Sequence, residues 1–182
     1  MINPRGGDFY LATSGDRNLA VDSGLGLRGV GAAAGSRERP VGMIRYLLDS
    51  SALWRLLRDA ALRKAWSSVV SVGAVGSCHP QRIEFRRSAR NVDEYEQMSG
   101  MFDELCPDLV VPKAAWRWIE SAQYRLLRHG PHRALSAVDL LVCATAAQND
   151  AVVLHDDNDF ATAARSLPDL RERSVYQTPP SE

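Results

Sequence analysis

This chain is nearly without lysine, has no excess of either charge, no cysteines at metal-ligand spacing and no long apolar run, and each absence removes a class of function. Lys+Arg and Asp+Glu stand at 22 each. A protein that coats nucleic acid without regard to sequence is usually basic, so any contact with RNA or DNA must come from a local patch. Only Lys64 and Lys113 are lysines, so the positive charge is almost all arginine, the residue suited to phosphate. Cys78, Cys106 and Cys143 are odd in number and far apart, which excludes a zinc knuckle and a disulfide framework and fits a reducing cytoplasm. No stretch reaches the roughly 18 apolar residues of a membrane span. No continuous apolar core of a secretory signal stands near residue 1.

What is present begins after an unusual stretch. Residues 1–42 include "SGLGLRGVGAAAGSRERPVG", rich in glycine and small residues and without a sustained period. Such a segment buries too little apolar area to offset its ordering entropy, so it reads as a flexible extension. Met43 opens a single compact domain spanning 43–177, with 178–182 as a tail. Within it, apolar strands and helical patterns alternate. Ile44 to Leu48 reads as a buried strand; Leu53, Leu56, Leu57, Ala60 and Ala61 follow at helical spacing. "SVGAVGSCHP" reads as a loop leading to a helix with "RIEFRRSAR". Tyr95, Met98, Phe102 and Leu105 mark a third helix, and Leu109 to Val111 a short extended piece. "KAAWRWIESAQYRLLRHGP" is a fourth helix closed by Gly130 and Pro131, and "SAVDLLVCATAAQND" a fifth, apolar nearly all round. Ala151 to Leu154 is a strand, Phe160 to Ser166 a short helix and Ser174 to Gln177 a last strand. This alternation, with continuously apolar strands, predicts an α/β fold: a parallel sheet in a three-layer α/β/α sandwich.

In that fold ligands bind beyond the carboxyl ends of the strands. Asp49 follows the first strand directly, and "VVLHDDNDF" ends the later strand in a cluster of acids. The helix after Asp139, about 12 residues at about 1.5 Å each, descends roughly 18 Å. A return strand of about 5 residues at about 3.3 Å covers nearly that distance, so Asp139 and Asp157 return to one edge. Each acid also has a plain role. Asp139 stands three after Ser136 in a capping box, Asp49 fits a turn, and Glu84 fits a helix surface beside Arg86 or Arg87. Asp157 and Asp159 fit a solvated loop or a cap, as does Asp156, the most expendable of the three. Taken as a set they repel one another, which a shared proton or a bound cation relieves; a carboxylate-only site selects a hard cation, Mg²⁺ or Mn²⁺, and with it phosphate chemistry. His155 reads as structural.

"LLDSSAL", "RIEF..SAR", "LSAVDLLVCATA" and "VVLHDDNDF" together resemble the successive motifs of PIN-domain ribonucleases, most closely the VapC toxins of bacterial toxin–antitoxin pairs. The resemblance covers Met43 to about Gln177; residues 1–42 have no counterpart in the pattern. It implies metal-dependent cleavage of RNA, Mg²⁺ or Mn²⁺ as cofactor, and a cognate VapB-like antitoxin. It carries the family's four acids onto Asp49, Glu84, Asp139 and Asp157, with Asp159 as a further metal partner. Ser50 or Ser51 matches the hydroxyl beside the first acid.

Arg86 and Arg87 are candidates to face RNA. Trp54, Trp66, Trp116 and Trp118 read as core or interface. Leu53, Leu56 and the helix with Trp116 are candidates for an antitoxin groove or a homodimer face. Three other readings stay open. One is a phosphotransfer enzyme or receiver, though Ser50 and Ser51 stand where D-x-D would be needed and no lysine follows Lys113. The others are a non-catalytic module of the same fold and a DNA-directed nuclease.

Overall fold

Alternate residues of the strands serve opposite apolar clusters, which is why the strands are apolar throughout. The computed structural model describes residues 44–130, 133–177 and 179. β1 (Tyr46–Leu48) lies between β2 (Val75–Gly76) and β3 (Val152–His155), and β4 (Glu172–Ser174) pairs outside β3, all in parallel, giving the order β2-β1-β3-β4. Leu48 stands opposite Leu154, and His155 opposite Ser174. Leu47 and Val153 point into one cluster; Tyr46, Leu48 and Leu154 point into the other.

The second cluster is closed by α1 (Ser50–Arg58), α2 (Ala60–Ser71) and α4 (Val92–Leu105). The first is closed by α5 (Ala115–His129), α6 (Ala137–Gln148) and α7 (Asn158–Ala164). α3 (His79–Arg86) stands at the β2 side and feeds both, with Cys78 before it in the first cluster and Phe85 in the second. The expected three layers around a parallel sheet are therefore present. Buried apolar surface of this extent is the main favourable contribution to folding. No helix among the described residues is long and apolar enough to cross a membrane.

Four expectations change in detail. The helix expected through Leu53 and Ala61 is two helices. Asp59 divides them: its N–H closes α1 on the Arg55 carbonyl, and its carboxylate opens α2 by accepting Ala61 N–H at 2.9 Å and Leu62 N–H at 3.1 Å. The "SVGAVGSCHP" loop contains β2, because Gly76 lets the backbone approach closely; a Cβ there would meet Ile44 and the Pro107 carbonyl at 2.9–3.0 Å. The extended piece forms a single bridge, Asp108 opposite Ser77, in which Leu109 N–H donates to the Ser77 carbonyl at 2.7 Å, and not a strand over Leu109 to Val111. The last strand ends at Ser174 instead of starting there. The extension at 1–42, the start at Met43 and, apart from Pro179, the tail at 178–182 lie outside the described residues.

Candidate active site

Asp49 is the residue on which two strands and a helix meet. Its N–H continues the β1–β3 ladder to the Leu154 carbonyl at 2.9 Å. Its carboxylate caps α1, accepting the Ser51 N–H at 2.8 Å and the Ser51 hydroxyl at 2.5 Å. That hydroxyl in turn accepts the Asp156 N–H at 2.9 Å, so one oxygen ties the end of β1 to the end of β3. Asp49 is only 4% exposed, and burial pushes its carboxyl up to about 6, against the lowering effect of the Ser51 bonds and with a further rise from Asp139. Its hydrogen-bond partners among the described residues, Ser50 and Ser51, are neutral.

Glu84 arrives from α3. That helix is pinned by Arg82, which donates from Nε to the Ser77 hydroxyl at 2.7 Å and from a terminal nitrogen to the Cys106 carbonyl at 2.8 Å. Glu84 accepts the Ser50 hydroxyl at 3.1 Å. Partial burial raises its carboxyl above the ordinary range, opposed by the Ser50 bond and aided by the charge of Asp139. Asp139 arrives at the start of α6 within the expected capping box. Ser136 N–H donates to one Asp139 oxygen at 2.7 Å, and Asp139 N–H donates to the Ser136 hydroxyl at 3.1 Å. One ligand oxygen from each of Asp49, Glu84 and Asp139 lies within 4.8 Å of the other two. The structure thus gathers three of the predicted acids from the ends of one strand and two helices. An all-carboxylate oxygen set of this kind suits a hard divalent cation.

Asp157 and Asp159 stand at the border of that cluster. Asp157 is exposed and caps α7, accepting Asp159 N–H at 2.9 Å. Asp159 is exposed too; partial desolvation, then Asp157 and Asp139, hold its carboxyl above the ordinary range, so it shares the field of the cluster. Asp156 is not a free solvated acid. It accepts from Arg55 Nε at 2.7 Å, across a gap of 101 residues. His155 is structural, as expected: Nδ1 accepts the Asp157 N–H at 3.1 Å, so Nε2 carries the proton to Glu172 at 2.7 Å, and the ring stacks on Phe160.

Both serines beside Asp49 have work, Ser50 on Glu84 and Ser51 on Asp49. Arg86 bonds through Nε to the Arg82 carbonyl and through one terminal nitrogen to the Ser99 hydroxyl, and lies over the Tyr95 ring. Arg87 is exposed and lies close enough to Glu84 to offset its rise. Trp66 is buried, donating to the Val175 carbonyl at 2.8 Å; Trp54 packs on Phe85; Trp118 donates to Asp169; Trp116 is exposed. Leu53 and Leu56 are buried but line an apolar cleft with Leu57, Trp66, Val70 and Met101. The Arg55–Asp156 pair was not legible beforehand. The only hint was that Arg55 stands one helical turn after Ser51.

Comparison with known proteins agrees with this arrangement. The model of the PIN domain family matches residues 46–166. Ribonuclease VapC6 of Mycobacterium tuberculosis is 63% identical over 102 residues, which cover 56% of this chain and 80% of the relative. Ribonuclease VapC51 of the same organism is 32% identical over 117 residues, 64% of this chain and 83% of the relative. In fold, the chain is similar to VapBC2 from Rickettsia felis, solved bound to a DNA fragment from its promoter (TM-score 0.60, 10% identity, 72% of this chain and 98% of that one). It is similar also to DNA-bound VapBC from Salmonella typhimurium (TM-score 0.59, 14% identity, 73% and 99%).

Proposed function

The chain belongs to the PIN-domain family, and from that premise we propose that it is a metal-dependent endoribonuclease, the toxin of a VapBC-type toxin–antitoxin pair. The observation that carries this reading is the convergence of Asp49, Glu84 and Asp139 at the carboxyl edge of a parallel sheet. A relative named as a ribonuclease, 63% identical over most of its own length, supports the substrate. Family membership sets aside the phosphotransfer reading, and the assembled trio of acids speaks against a non-catalytic module.

Asp49, Glu84 and Asp139 would hold Mg²⁺ or Mn²⁺, with Asp157 and Asp159 as outer members of the site. A divalent cation there supplies an activated water and stabilises charge developing on the phosphodiester oxygens. The protein's own residues prepare that site. Ser51 fixes Asp49 against the end of β3, and Ser50 orients Glu84. The capping box occupies one Asp139 oxygen and leaves the other for the cluster. His155, with both ring nitrogens engaged, serves the fold and not proton transfer.

Three free buried cysteines support the cytoplasm as the compartment. The apolar cleft between α1, α2 and α4 suits an apolar segment of a VapB-like antitoxin. Trp116, Tyr124 and Leu127, exposed along α5, suit a second copy of the chain. The purified chain should cut single-stranded RNA and leave DNA of the same sequence intact, with cleavage abolished by EDTA and restored by Mn²⁺. Cleavage that persists in EDTA would sink the metal-dependent reading.

A further inference from the structure

We propose that Tyr176 and Arg55 form a landing for the RNA strand beside the acidic cluster, with Tyr176 stacking on a base and Arg55 contacting a phosphate. The proposal rests on the ribonuclease reading and adds a binding subsite to it. All four strands are parallel, so their carboxyl ends share one edge. Asp49 follows β1, and Tyr176 stands two residues beyond the end of β4. Strands lie about 4.8 Å apart, so two intervals place the end of β4 roughly 10 Å from that of β1. A single strand of RNA spans that gap in a few nucleotides.

The ring is more than half exposed at 53%, yet the backbone at its base is anchored. Val175, just before it, is fully buried, donates to the His155 carbonyl at 2.8 Å and accepts from Trp66 Nε1 at 2.8 Å. The Arg55 guanidinium lies 5.7 Å from the Tyr176 centroid. Asp156 takes the Arg55 Nε–H, which leaves the two terminal NH₂ groups of the fork for an anion. From the ring the path to the cluster is short: Arg55 to Asp156, Asp156 N–H to the Ser51 hydroxyl, and that hydroxyl to Asp49. Tyr95, Trp116 and Tyr124 also carry arginines over their faces, but they lie on helices; Tyr176 follows a strand, at the edge where the acids are. An exposed π-face beside a guanidinium is the pairing that holds single-stranded nucleic acid.

The test is the affinity of the full chain, carrying Asp49→Asn so that RNA survives, for a fluorescent single-stranded oligoribonucleotide, read by anisotropy over a range of salt. Tyr176→Ala should weaken binding about tenfold at every salt concentration, while Tyr176→Phe binds as the background does. Arg55→Ala should flatten the log–log salt dependence by about 0.7, the contribution of one phosphate contact on a single strand. Unchanged affinity in Tyr176→Ala overturns the landing while leaving the ribonuclease reading intact, and so does a background chain that binds no RNA. A chain without the Asp49 change that fails to cut RNA, with Tyr176→Ala still weakened, overturns the ribonuclease reading and upholds the landing.

Discussion

At the end of β1, Asp49 accepts the Ser51 N–H and caps α1; at the end of β3, Asp157 accepts the Asp159 N–H and caps α7. The local chemistry of the two junctions is the same, and their surroundings are opposite. Asp49 is buried among two other acids, whereas Asp157 is exposed. Register explains the difference. Leu48 pairs with Leu154, so the counterpart of Asp49 is His155, and Asp157 lies two residues further on. Asp157 therefore stands past the end of the β1–β3 ladder, with Asp156 tied back to Arg55 on the way. At both junctions the aspartate beyond the strand is a helix cap. It becomes part of a buried charge cluster only where the register brings it level with the others.

The largest expected effects separate the two junctions by activity. Asp49→Asn should lower RNA cleavage about 10³-fold, the loss expected when several kcal/mol of metal-mediated stabilisation go. Asp157→Asn should lower it only about 10- to 100-fold, as for an outer member of the site. Equal losses, measured as kcat/KM on one RNA substrate, would break the contrast between a central and an outer acid.

Stability should move in the opposite sense. The Asp49 carboxyl is raised from 3.8 to about 6 in the folded chain, so its ionised form disfavours folding. This penalty is absent below about pH 4, sets in as pH rises, and is complete above about pH 6. In metal-free protein at neutral pH, Asp49→Asn should therefore stabilise by roughly 3 kcal/mol, and the gain should disappear in acid. Mn²⁺ should stabilise the unsubstituted chain and not the variant. Urea denaturation on both sides of that pH window checks the sign; a variant destabilised at neutral pH contradicts it.

Smaller changes sharpen the picture at the second junction. Asparagine caps as well as aspartate, so Asp157→Asn should leave stability nearly unchanged while Asp157→Ala costs about 1 kcal/mol. Comparing their melting temperatures separates the cap from the charge. Arg55→Ala should also cost little, because an ion pair this exposed contributes about 0–1 kcal/mol. A loss well above that would mean that the pair holds the β3–α7 turn in place.

Features set by nearby residues were legible in the sequence. The Ser136–Asp139 capping box, the apolar strands and the close of α5 at Gly130, whose φ of 98° suits glycine, all depend on a few neighbouring positions. β2 was hidden because two residues, one a glycine, do not make a period. The split at Asp59 was hidden because the apolar spacing runs on across it. Of the site, the identities of Asp49, Glu84 and Asp139 could be named from motif order, but the outward step of Asp157 needs the β1–β3 register. The Arg55–Asp156 pair needs the tertiary fold itself.

The register of β1 has one more consequence, for the order of events during synthesis. Asp49 is anchored to the Leu154 carbonyl and Asp139 precedes β3, so the three carboxylates come into place only after β3 has left the ribosome. Contacts spanning a hundred residues form late, because the intervening chain must first be closed. A nascent or truncated chain that lacks β3 thus carries the acids without their geometry, and the acidic cluster forms only once β3 has been made.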